Sequence, residues 1–123
     1  MESNPIVWFE IYVQDMQRAR KFYESVLGVT FSNLNVPEPE MLAFPSSMER
    51  FGASGALVRM DGFPSGGNST LVYFTSDDCA VEAARVPKSG GRVEQEKRSI
   101  GEYGHIALAI DTEGNMFGLH SMR

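Results

Sequence analysis

The feature that most restricts how this chain can fold is a repeat of pattern rather than of identity. Asp15 and Asp78 stand 63 positions apart, as do Gly28 and Gly91, and each Asp–Gly pair brackets a segment with helical signals. An aspartate before a helix accepts hydrogen bonds from the free N–H groups of the first turn. A glycine after it supplies the left-handed stop. Between Asp15 and Gly28, the residues Ala19, Phe22, Tyr23, Val26 and Leu27 recur at helical spacing and form one apolar face. The same offset lays Trp8 on Leu71, Phe9 on Val72, Glu10 on Tyr73 and Ile11 on Phe74, segments with the composition of buried or half-buried strands. A chain that repeats strand and helix in this way is read as two related modules.

The order of the remaining elements extends the pattern. After the first helix come strands expected at 29–34, 41–44 and 53–60, with a proline turn at 36–40 and a loop at 45–52 between them. Glycine, proline, serine and asparagine then accumulate as in a linker. A strand at 70–74 leads into a short helix from Cys79, which Pro87 disturbs and Gly90 and Gly91 end. Strands are expected at 92–98 and 104–110, and the turn DTEGN feeds a last strand at 116–121. The whole chain, 1–123, reads as one domain with module one at about 5–60, a linker at about 61–68 and module two at about 69–122.

Composition narrows the partners. The net charge of −5, from 16 acidic and 11 basic residues, argues against nucleic acid. Arg18, Arg20 and Lys21 cluster on the first helix and read as its solvated face. No stretch approaches the roughly 20 apolar residues of a membrane span, and the N-terminus lacks the pattern of a signal peptide. A lone cysteine, Cys79, excludes a disulfide scaffold and fits a reducing compartment. The expectation is a cytoplasmic protein with neither membrane nor nucleic-acid partner.

Taken together, FEIYVQD, RARKFYESVLGV, YFTSDD and IGEYGHIALAIDTEGNMFGLHS resemble the vicinal-oxygen-chelate superfamily of glyoxalase I, bleomycin-resistance proteins and extradiol dioxygenases. Within it the WFEI opening and FGLH ending are similar to a glyoxalase-like bacterial subgroup. The resemblance covers nearly the whole chain. It implies an α+β fold in which two βαβββ modules form an eight-stranded, cupped mixed sheet. Helices then cover the convex side, and a ligand cavity on the concave side is completed or flanked by a homodimer partner.

Strand alternation sorts the candidates onto that cup. If Phe9, Ile11 and Val13 pack under the helix, then Trp8, Glu10 and Tyr12 face the cavity, as do Leu71, Tyr73 and Thr75, and Met116, Gly118 and His120. In metal-dependent members the ligands lie at positions that the resemblance matches to Trp8, Ala56, Leu71 and Gly118, none of which coordinates through its side chain. No metal site and no cofactor are therefore expected. A divalent metal stays open only through Glu10, Tyr73 and His120, each two residues beyond a lost ligand position.

Three functions remain in play. In the first, a metal-independent cup binds a small, partly apolar ligand against Trp8, Tyr12, Leu71, Tyr73, Thr75, Met116 and His120. In the second, the protein is a lyase or isomerase related to lactoylglutathione lyase, with Glu10 as a general base made more basic by burial. In the third, it is an interaction module whose cup is plugged by its own side chains. Glu10 also has a purely structural reading, as a carboxylate bonded to Tyr12, Tyr73 or an arginine such as Arg59.

Overall fold

The computed structural model describes residues 4–35, 38–47, 49 and 52–123. The turn expected at 36–40 and the loop expected at 45–52 lie in part outside those residues. In chain order the elements are β1 (Trp8–Tyr12), α1 (Met16–Leu27), β2 (Ser32–Asn33), β3 (Glu40–Ala43), β4 (Ser54–Arg59), β5 (Tyr73–Thr75), α2 (Cys79–Arg85), β6 (Arg92–Ser99), β7 (His105–Ile110) and β8 (Met116–Ser121). This is βαβββ followed by βαβββ, the α+β architecture that the repeat predicts.

Both helices begin as expected. The Asp15 carboxylate accepts from the Arg18 N–H, and the Asp78 carboxylate accepts from the Ala80 N–H. α1 closes at Gly28, whose φ of 69° is left-handed and whose N–H reaches the Glu24 carbonyl. α2 ends earlier than its repeat counterpart. Pro87 has no N–H to continue an α-helix, so a 3₁₀ turn over Pro87–Ser89 carries the chain on to Gly90, with φ 101°.

Hydrogen bonding divides the strands into two four-stranded mixed sheets, ordered β1-β4-β3-β2 and β5-β8-β7-β6. In each, the first strand of the module lies at the edge and runs parallel to the last, with Glu10 beside Ala56 and Tyr73 beside Gly118. The edges β1 and β5 adjoin through side chains: the Phe9 and Phe74 rings are 6.1 Å apart, and Trp8 and Tyr73 line one cavity. Together the sheets form the cup.

Alternation along β1 has the predicted sense. Ile11 and Val13 are buried with Phe9 packed beside them under the helices, whereas Trp8 and Glu10 are exposed. One core serves both modules, because Tyr23 of α1 sits 5.8 Å from Phe44, 5.9 Å from Phe74 and 5.5 Å from Phe117. Such tilted aromatic contacts add to burial about 0.5–1.5 kcal/mol each.

Two strands are shorter than their composition predicts. β2 is confined to Ser32–Asn33, and β5 starts at Tyr73 rather than at Thr70. The second difference has a visible cause. The side-chain amide of Asn68 donates to the Met116 carbonyl and accepts from the Met116 N–H, taking the place a strand partner would occupy. Leu71, expected within β5, therefore belongs to the approach to the strand. Among the described residues, no helix is long and apolar enough to cross a membrane.

Candidate functional site

The cup face of β1 carries three side chains at alternate positions, and they bond to one another. The Trp8 indole Nε1–H donates to Glu10 Oε2 at 3.3 Å, and the Tyr12 O–H donates to Glu10 Oε1 at 2.9 Å. Alternation makes this possible, since residues two apart on a strand share a face. The carboxylate is thus held between two aromatic groups, and its hydrogen bond raises the Tyr12 phenol above its ordinary range. Tyr12 in turn stacks on Phe63 of the linker, at 5.2 Å and 21°. Glu10 itself is exposed, so the burial on which the general-base reading relied is missing from the single chain.

Two cavities flank this row. One, of about 630 Å³, is lined by Ile6, Trp8, Phe9, Leu71, Val72 and Tyr73, where the edges of the two modules meet. The other, of about 320 Å³, includes Glu10, Tyr12, Asn68, Thr70, Asn115 and Met116 in its lining. Trp8, Leu71 and Tyr73 are 41%, 37% and 46% exposed, which leaves aromatic and aliphatic surface open along the larger cavity. Thr75 lies beside His120 on the paired strands, away from Glu10's cavity, and borders a third, smaller pocket with Phe9 and Phe74. His120 Nε2 lies 2.7 Å from the Tyr103 carbonyl, an arrangement in which the ring nitrogen is the donor.

The four positions matched to metal ligands do not fit a metal. Ala56 is fully buried, and Leu71 and Trp8 have no donor atom to offer one. Gly118 is covered: a Cβ built on it would fall 2.3 Å from the Tyr73 ring, so the phenol occupies the space a ligand side chain would need. Among the described residues no group of three or more His, Cys, Asp or Glu side chains is placed to hold an ion, and Glu10 and His120 are not brought into one.

A second constellation, not singled out in the sequence beyond its turn signal, positions this face. In the turn between β7 and β8, Glu113 has a fully buried side chain and accepts from the N–H groups of Gln14 and Asp15 and from the Arg18 guanidinium. These bonds outweigh desolvation and hold its carboxyl down to about 2. Buried Asp111 accepts from the N–H groups of Glu113 and Asn115 and from the Tyr23 hydroxyl at 2.5 Å. Burial pushes both partners of that last pair upward. Asn115 completes the lock, donating to the Tyr12 carbonyl and accepting from the Gly66 N–H. The turn of module two thereby fixes the end of β1 and the start of α1 in module one. An acidic residue inside a turn, with an arginine at the start of the facing helix, was the available signal.

Fold and site together define a paired-βαβββ cup protein whose concave face presents aromatic groups around a carboxylate. Known proteins of this class are similar to it in sequence as well. The family model for the N-terminal part of bleomycin-resistance-like proteins matches residues 5–44. CFP32, which carries a glyoxylase name in Mycobacterium bovis and Mycobacterium tuberculosis, is 27% identical over 118 residues; the alignment covers 96% of this chain and 44% of that protein. The chain thus spans under half the length of these relatives. A glyoxylase-like domain-containing protein of Didymella fabae is 29% identical over 86% of this chain and 84% of its own. Among solved structures, TnmS3, an antibiotic-binding protein from Streptomyces sp. CB03234, is 25% identical with a TM-score of 0.68, covering 100% of this chain and 99% of that one. Fold, family model and relatives all support a likeness to the vicinal-oxygen-chelate superfamily.

Proposed function

We propose that the protein binds a small, partly apolar ligand in its cup without the superfamily's metal. The observation that carries this reading is the open wall of Trp8, Leu71 and Tyr73 around a cavity of about 630 Å³, a size suited to a small molecule. The antibiotic-binding relative, similar over its full length, lends support to a binding role. Tyr12 and Met116, in the lining of the adjoining cavity, complete the proposed contact set, whereas Thr75 and His120, expected in it, lie outside both cavities. The exposed Ile6 and Val7 beside Trp8 support a homodimer in which a second copy covers the rim. The acidic balance supports a small-molecule partner over nucleic acid, and the lone cysteine supports a cytoplasmic setting.

Elemental analysis of purified protein tests the metal-free part. Substoichiometric divalent metal is expected, together with thermal stabilisation by planar aromatic compounds in the presence of a chelator. One tightly held divalent ion per chain overturns the reading.

The alternative, a lyase or isomerase with Glu10 as base, draws on the Tyr12 hydroxyl beside that carboxylate, where a developing oxyanion would find a donor. Under it, Glu10→Gln keeps ligand binding and abolishes turnover.

A further inference from the structure

The ligand's charge can be read from Glu10. A carboxylate has about four acceptor sites on its two oxygens, and here one bond comes from the Trp8 N–H and one from the Tyr12 O–H. Each oxygen keeps a free lone pair. Both neighbours are neutral donors, so the negative charge is oriented but not neutralised. The ion pairs among the described residues are Arg18–Glu113, Arg20–Glu24, Arg59–Asp61, Arg92–Glu94 and Lys97–Asp78, and Glu10 takes part in none of them.

The surroundings repeat the preference. Trp8 and Tyr12 turn their N–H and O–H edges to the carboxylate and bring no charge of their own. Asn68 and Asn115, which share the smaller cavity with Glu10, are already committed to backbone groups of Met116, Tyr12 and Gly66, which leaves Glu10 as the charged group of its lining. An anionic ligand would meet an uncompensated like charge. A ligand with a planar cationic nitrogen group would meet two free lone pairs in a fork that suits amidinium or guanidinium geometry.

We propose that the cup selects ligands in which a planar cationic group, an amidinium, a guanidinium or a protonated aromatic amine, is joined to an aromatic or aliphatic body. The cation pairs with Glu10 between Trp8 and Tyr12, and the body lies against Leu71 and Tyr73. This inference rests on the ligand-binding reading above and adds the charge.

Benzamidinium, benzamide and benzoate share one skeleton with charges of about +1, 0 and −1 at neutral pH, and titrating each while following the fluorescence of Trp8, the sole tryptophan, separates the two claims. Benzamidinium is expected to bind at least about tenfold more tightly than benzamide, with benzoate weakest, a ratio that corresponds to about 1.4 kcal/mol. Glu10→Gln should bring benzamidinium down to the affinity of benzamide, while circular dichroism confirms the fold. Equal binding of the three probes overturns the charge preference and leaves the ligand-binding reading standing. If none of the three gives a saturable response, and larger planar aromatics fail as well, the ligand-binding reading itself falls and this inference with it.

Discussion

At the scale of single residues, Glu10 and Glu113 show how differently two carboxylates of one fold are used. Glu10 is exposed and held by two neutral donors. Glu113 is enclosed and bonded to a guanidinium and two backbone N–H groups. The second is tied to stability, and the sign follows from its carboxyl lying at about 2 when folded against an ordinary 4.5. A carboxyl lowered by folding stabilises above its unfolded value, and that contribution fades as pH falls from about 4.5 toward about 2. Its upper bound is about 3 kcal/mol, reduced by the solvent that screens the half-exposed Arg18. Asp111, raised by burial, works in the opposite direction. Glu113→Gln is therefore expected to cost about 1–3 kcal/mol in urea unfolding at pH 7 and progressively less toward pH 2. Parallel stability curves for the two proteins would refute this assignment.

At the scale of elements, legibility depended on whether the deciding interaction was local. The N-caps at Asp15 and Asp78, the stop at Gly28 and the alternation of β1 and β8 are governed by neighbours a few residues away, and the sequence-based expectations for them hold. The late start of β5 was not legible. It depends on Asn68 standing in for a strand against Met116, 48 residues further on. Glu113 was readable as a turn residue but not as a partner of Arg18, 95 residues away. Gly118 is a third case: the resemblance marks it as a lost ligand position, and the structure shows that it makes room for the Tyr73 ring. Gly118→Ala should therefore displace that ring, lower stability by about 1–3 kcal/mol as overpacking does, and weaken binding of aromatic ligands. An unchanged melting temperature together with unchanged affinity would contradict the close packing.

At the scale of the whole molecule, the two modules are joined by their shared aromatic core, by the turn of module two bonding the first helix of module one, and by adjoining edge strands. The cup is a product of that junction. Trp8 comes from module one and Leu71 and Tyr73 from module two, and neither module alone encloses the cavity they line. The repeat made the two βαβββ modules legible from sequence, and the cup they form together was legible only through the family resemblance. The occupant was not legible, since ligand chemistry resides in a few side chains whose bonding only coordinates reveal.

The central claim is that this cup binds a small, partly apolar ligand with no metal present. Its most direct test is a titration of chelator-treated protein with planar aromatic compounds, followed through Trp8 fluorescence and repeated with Tyr73→Ala. A saturable response of one ligand per chain is expected, which the substitution weakens at least about tenfold, a loss of about 1.4 kcal/mol. A response that appears only when a divalent ion is restored, or one that Tyr73→Ala leaves untouched, would contradict it.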